Sequence, residues 1–309
     1  MNNADLSRSD LSNTDLSNAS ITNVSLEFAI LEKIFMYSSN LTNSDLDSAV
    51  LRNAYLNDID LINGSLRGSD LTDADLLNAD LRNVSFSGSD LTNSFLGNVS
   101  LTNSNLRNSD LSYVDLINSD LTNSNLSNSD LTYADLVNVS LLNGSLRGSD
   151  LTNSFLGNVS LTNSNLRNSD LTDADLNNVN LTNTRLGNAD LTSAFLGNAD
   201  LTSADLLQAD LTNAYLKDID LTNSNLNYAD LTNAYLKDID LTNASLKNTD
   251  LTNAYFINVN LTNANIYGIT LDKTSFSCDS LKTANLTNNI DSQKVRFFDS
   301  SMKEVSTCQ

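Results

Sequence analysis

The sequence has no proline, tryptophan or histidine, and only 2 cysteines and 10 glycines among its 309 residues. Without histidine, Ser-His-Asp and Cys-His catalysis are excluded, as is every histidine-ligated metal site. Basic residues are scarce: 17 Lys and Arg stand against 38 Asp and Glu, a formal charge of -21. Nucleic acid and anionic membrane both require a basic surface, so direct binding of either is not expected. No run of about 18 apolar residues is present, so no helix is expected to span a bilayer. The opening stretch MNNADLSRSDLSN lacks the basic and apolar regions of a secretory signal. A cytoplasmic location is therefore expected, with an extracellular one left open.

What is present is repetition. From Leu6 to Leu286 every fifth position is apolar, and it is Leu everywhere except Ile21, Met36, Phe86, Phe256, Ile266 and Phe276. Two residues before each stands something small or β-branched; the other three positions are mostly Asp, Asn, Ser and Thr. Steps of five rotate by roughly 140° on a helix, which spreads the Leu set around the cylinder. On a strand, odd spacing sends successive Leu to opposite faces. A chain that turns once per pentad keeps them all inside.

A slower period says how many pentads close a circuit. Phe35, Tyr55, Phe95, Phe155, Phe195, Tyr215, Tyr235 and Tyr255 all precede a central apolar residue, and all share one position modulo 20. Ile59, Val99, Val139, Val159, Val179, Ile219, Ile239 and Val259 share another. The longest internal copies lie 20, 60 or 80 residues apart, although LGNADLTSA recurs after 10. Four pentads per turn is the reading that follows.

Units such as ADLTNAYL, ADLTSAFL and SDLTNSNL resemble the pentapeptide-repeat proteins, whose unit reads roughly A-(D/N)-L-x-x, and the likeness runs from Ala4 to about Leu286. The resemblance implies an all-β fold: a right-handed, quadrilateral parallel β-helix, with the central Leu and the small residue two before it inside. With four pentapeptides per coil, about 14 coils stacked at roughly 4.8 Å would reach about 67 Å. Each buried Leu contributes on the order of 1.5–3 kcal/mol. The shaft is thin, so its second inward position must be small, and Gly64 and Gly144 leave room for neighbours. Outward Asn and Thr in register, such as Asn103, Asn123 and Asn143, are expected to bond coil to coil.

Residues 1–286 are thus expected to form the β-helix and 287–309 a C-terminal cap or tail. Ser292–Glu304 is expected as a short helix or loop over the last coil; in the alternative, Val295, Phe297 and Phe298 make a dimer contact. The resemblance implies that option, because some family members dimerise through a terminus. Residues 26–37 keep the register but place Phe28, Ile30, Phe35 and Tyr37 outward, either as an association patch or as a self-covered coil. Cys278 and Cys308 would bridge tail to coil in an oxidising compartment; in a reducing cytoplasm they are expected as free thiols.

The charge is ordered. Asp70, Asp90, Asp110, Asp130, Asp150, Asp170, Asp190, Asp210, Asp230 and Asp250 fall one per circuit and form a candidate acidic interaction face. Neighbours at roughly 4.8 Å repel by about 0.9 kcal/mol in water, partly offset by Arg67, Arg107, Arg147 and Arg167, three residues before an Asp. Such a column keeps a rod soluble and blunts lateral association. Phe95, Phe155, Phe195, Tyr215, Tyr235 and Tyr255 form a candidate aromatic face, either a self-stacked ladder or a docking surface.

No cofactor or metal site is expected. Single carboxylates per circuit offer too few ligands, and pairs such as Asp73 and Asp75 have no cleft to desolvate them. The expected function is a non-enzymatic rod that binds a protein partner or itself, end to end. The resemblance implies an alternative, because some family members mimic duplex DNA and bind DNA gyrase or topoisomerase IV. This chain departs from those by its greater length and by having no loop inserted between coils.

Overall fold

Residues 131–135 contain the construction in miniature. Leu131 donates its amide to the Asp150 carbonyl at 2.7 Å and Tyr133 to the Thr152 carbonyl at 3.1 Å, both one circuit ahead. Asp135 donates to the Val114 carbonyl one circuit behind at 2.9 Å, and Ala134 closes the turn onto the Leu131 carbonyl at 3.0 Å. The fifth amide, that of Thr132, goes to the Asp130 carboxylate at 2.9 Å. All five donors of the pentad are satisfied, three by neighbouring coils, one by its own turn and one by a side chain.

The computed structural model describes residues 2–281, 295–299 and 303–305. The backbone divides into two units, Met1–Ser160 and Leu161–Gln309. Each is a parallel β-helix. In the first, single-residue bridges link residues twenty apart, from Asp5 with Ser25 to Ser140 with Ser160. In the second the same pairing lengthens into strands β1 (Tyr215–Lys217), β2 (Tyr235–Asp240) and β3 (Tyr255–Asn260), with Tyr215, Tyr235 and Tyr255 in register. Twenty residues per circuit, with a turn and a bridge in each pentad, is what the slower sequence period predicts.

Closing a turn every five residues puts the third residue of each pentad in the left-handed region. From Asn3 to Lys273 the non-glycine residues there have φ of 51–61°. Asn and Asp tolerate that conformation better than other side chains, which explains the Asn-rich outer corners. The corner amides then bond along the stack, Asn123 to Asn103 at 3.2 Å and Asn143 to Asn123 at 3.2 Å.

Inside, every inward position from Ile21 to Leu261 is buried. Leu6, Leu11 and Leu16 of the first circuit are only half-buried. Many buried serines offset their desolvation cost by donating to the carbonyl of the preceding central Leu, as Ser149 does to Leu146 at 2.6 Å, and others reach one circuit back, as Ser104 does to Leu81 at 2.8 Å. Gly64 is needed where it stands, since a Cβ there would lie 2.6 Å from the Leu61 side chain.

After β4 (Ser275–Ser277) the chain turns into a helix, α1 (Cys278–Leu281), and residues 282–286 lie outside the described ones. The tail departs from the expected helix or loop. β5 (Arg296–Phe298) pairs in parallel with β4, matching Phe297 with Phe276, and β6 (Glu304–Val305) runs antiparallel to β5. An unpaired edge presents a full row of donors and acceptors, and a strand satisfies them where a helix cannot. Val295 is buried, while Phe297 and Phe298 are half-buried. Of the two alternatives for Cys278, free thiol or bridge, it is disulfide-bonded; the pairing of β5 with β4 returns the tail to the residues just before Cys278. Cys308 lies outside the described residues.

Leu126 is fully buried. Leu126→Ala is expected to cost about 2–5 kcal/mol, and Leu126→Asp to unfold the neighbouring coils, because no partner for a charge exists in the shaft. Thermal unfolding followed by circular dichroism measures both.

Candidate functional site

The carboxylate column is built by the turns. Asp70 bridges to Asp90, and the pairing continues through Asp110 and Asp130 to Asp150 in the first unit. In the second unit it runs from Asp170 through Asp190, Asp210 and Asp230 to Asp250. All ten residues are half-buried. Each lends one oxygen to the amide two residues on, at 2.9 Å for Asp90, Asp130, Asp150, Asp170, Asp190 and Asp210. Thr152 and Thr252 add their hydroxyls to Asp150 and Asp250 at 2.6 Å. The column is therefore part of the backbone's hydrogen bonding before it is a surface.

Burial opposes ionisation of Asp70, but hydrogen bonds from the Thr72 hydroxyl and amide, together with the Arg52 guanidinium, hold its carboxyl below the usual Asp value. The same holds for Asp200, where burial is outweighed by the Thr202 hydroxyl and amide and by the Thr182 hydroxyl.

The compensating arginines differ from expectation. Among the described residues the ion pairs are Arg52 with Asp70, Arg82 with Asp80, Arg167 with Asp205, Lys217 with Asp218 and Lys237 with Asp238. Arg67 instead donates to the Ser85 hydroxyl at 3.1 Å, and Arg107 and Arg147 form no pair with Asp110 or Asp150. A turn separates residues three apart, and the three arginine pairs use other geometries: Arg52 reaches the next coil, Arg82 a carboxylate two residues back, and Arg167 a carboxylate two coils on.

The aromatic residues fall into separate groups. In the second unit Tyr215 and Tyr235 stack at 5.2 Å, Phe195 lies 6.4 Å from Tyr215 with its ring tilted, and Tyr255 pairs in register with Tyr235. In the first unit Phe95 and Phe155 are not neighbours, for Asp115 and Asp135 stand between them in the same column. Phe35 stacks on Tyr55 at 4.9 Å with Tyr37 alongside. Phe28 and Ile30 are exposed, and the Arg8 guanidinium sits over the Phe28 ring at 5.4 Å. Sequence reasoning missed one pair: Tyr113 and Tyr133, stacked at 5.0 Å on left-handed corners. Their separation of twenty residues was the available signal. Among the described residues no group of three or more His, Cys, Asp or Glu could hold a metal ion. Nor is any described helix long and apolar enough to cross a membrane.

Family models for this repeat match most of the chain. A pentapeptide repeat region model covers residues 94–171 and 209–286, and a model of pentapeptide repeats in eight copies covers 1–36, 36–68, 49–88 and 180–218. The chain belongs to the pentapeptide-repeat family. Among solved structures it is similar to HetL, a pentapeptide repeat protein involved in heterocyst differentiation regulation from the cyanobacterium Nostoc sp. strain PCC 7120. That match has 23% identity over 89% of this chain and 90% of that one, with a TM-score of 0.31. It is also similar to QnrB1, a plasmid-mediated fluoroquinolone resistance protein, at 17% identity over 59% of this chain and 86% of that one, TM-score 0.30. Rfr23 from the cyanobacterium Cyanothece 51142 is 37% identical over 35% of this chain and 63% of its own, TM-score 0.14. No curated protein matches the chain.

Within this pentapeptide repeat the column makes two predictions. Asp130→Asn keeps the acceptor for the Thr132 amide and should leave stability unchanged or slightly raised, whereas Asp130→Ala should cost about 1 kcal/mol. A carboxyl held below its unfolded value stabilises the fold above that value, and the contribution is lost as pH falls through the folded pKa. Asp70→Asn with Asp200→Asn should therefore lower the melting temperature at neutral pH. The difference from the parent should shrink below about pH 4, as read from melting curves across a pH series.

Proposed function

We propose that the chain is a non-enzymatic rod that acts through its outer surface, binding a protein partner or a second copy of itself. The observation that carries this reading is the register of the carboxylates. Asp90, Asp110 and Asp130 are pinned by their own turns and by their neighbours one circuit away, so the surface is rigid and prepaid in entropy before any partner arrives. Catalysis needs unlike groups converging in a desolvated cleft; a surface that repeats itself every circuit suits recognition along a line. The proposed rod is right-handed with about 14 coils, and its N-terminal apolar patch around Phe28 and Ile30 and its tail residues Phe297 and Phe298 are the candidate self-association surfaces.

A second reading is favoured by the same column. Carboxylates one strand spacing apart, about 4.8 Å, form a regular line of charge comparable in kind to a phosphate backbone, which spaces its charges by about 3.4 Å per strand. A chain of this kind would bind a type II topoisomerase such as DNA gyrase or topoisomerase IV in place of DNA.

A supercoiling assay with DNA gyrase separates the two. Inhibition or protection at micromolar protein supports the mimic; no effect removes it. Light scattering tests self-association, for which a mass above the 33.5 kDa of one chain is expected. A strictly monomeric protein would count against end-to-end assembly.

A further inference from the structure

One side of the first unit carries exposed aromatic residues around two carboxylates. Phe95, Tyr113, Tyr133 and Phe155 are 52%, 56%, 46% and 49% exposed. Phe95 bridges to Asp115, Asp115 to Asp135, and Asp135 to Phe155, so the two carboxylates fill the interval between two phenyl rings. Two residues earlier in each pentad, Tyr113 and Tyr133 lie stacked with their planes 4° apart.

The charges in this patch have no counterpart. Asp115 and Asp135 each give one oxygen to a turn amide, of Ile117 at 2.9 Å and of Val137 at 3.1 Å. Neither forms an ion pair among the described residues. No basic residue occurs in 92–98, 112–118, 132–138 or 152–158. The aromatic group of the second unit differs, for Lys217 and Lys237 stand beside Tyr215 and Tyr235 and pair with Asp218 and Asp238.

The two tyrosines are also poor choices for the fold. Their φ values are 58° and 57°, a region unfavourable to aromatic side chains, and the neighbouring circuits place Asn93 and Asn153 at the same corner. Stacking of the two rings offsets part of that cost, and it leaves their exposed faces open to contact from outside.

We propose that this patch docks an arginine presented by a basic segment of a partner protein. The guanidinium lies across Asp115 and Asp135, and the rings of Tyr113, Tyr133, Phe95 and Phe155 cover its stem. Two carboxylates one strand spacing apart suit the fork of a single guanidinium, and aromatic rings favour a cation once water is displaced. The chain shows this pairing internally, where Arg8 lies over Phe28. The proposal rests on the interaction reading above and names the chemistry of the partner.

The test uses the full chain and a fluorescein-labelled peptide of alternating arginine and serine, followed by fluorescence anisotropy at physiological salt. Asp115→Asn with Asp135→Asn should weaken binding about tenfold or more, and so should Tyr113→Asn with Tyr133→Asn, which leaves the net charge unchanged. The tyrosine double variant should melt at or above the parent temperature, so its loss of binding is not a loss of fold. Asp10→Asn with Asp220→Asn removes the same charge elsewhere and should change affinity less than about twofold. Equal weakening by both aspartate pairs, an unaffected tyrosine variant, or no binding by the parent would each overturn the proposal. Binding that is indifferent to all variants removes this docking face while leaving a surface-binding chain intact. The wider reading is decided separately by the scattering and supercoiling results.

Discussion

Many turns of the architecture depend on a side-chain acceptor, Asp or Asn, placed just before the inward Leu. Where Asp or Asn holds that place, four of the five amides find carbonyls in the main chain and the remaining one is taken by its side chain, as Thr132 is by Asp130 and Ser127 by Asn125. A backbone that turns this often would otherwise leave one donor per five residues unsatisfied at a half-buried corner, at a cost of about 1–3 kcal/mol each. The Asp or Asn at that position is thus a component of the turn.

The outer surface inherits its order from that requirement. Carboxylates recur every twenty residues because the acceptor position recurs, and Asn amides line the corners because φ is positive there. The turns therefore make the surface regular and rigid without choosing a partner for it. Departures from that regularity say more about the partner: tyrosine on a left-handed corner at 113 and 133 serves neither the turn nor the core, and Asp115 and Asp135 between Phe95 and Phe155 cap their turns but form no ion pair among the described residues.

The period was legible because it reports on burial, and burial is what a hydrophobic pattern encodes. Leu at every fifth position, small residues two before, and aromatics sharing one position modulo twenty gave the circuit without reference to any contact. Gly64 was legible for the same reason, since the space beside Leu61 admits no Cβ. The arginine partners were not, because a guanidinium on a long stem chooses among several coils and only the geometry of the stack ranks them. The tail was not either: once the pentads stop, strand and helix compete on even terms, and the open edge of Ser275–Ser277 decides for β5.

By itself the sequence determined the circuit of twenty residues and the inward Leu, because these follow from periodic burial along one chain, while the all-β class came from the resemblance of its repeat unit to a known family. Only the tertiary structure decided that the column aspartates are turn acceptors, that Cys278 is disulfide-bonded, and that Tyr113 stacks on Tyr133 beside two uncompensated carboxylates. The turn acceptor joins residues only two apart but needs the closed corner to aim it, and the tyrosine stack arises from groups twenty residues apart meeting across coils, where no local pattern records which neighbour a side chain will face.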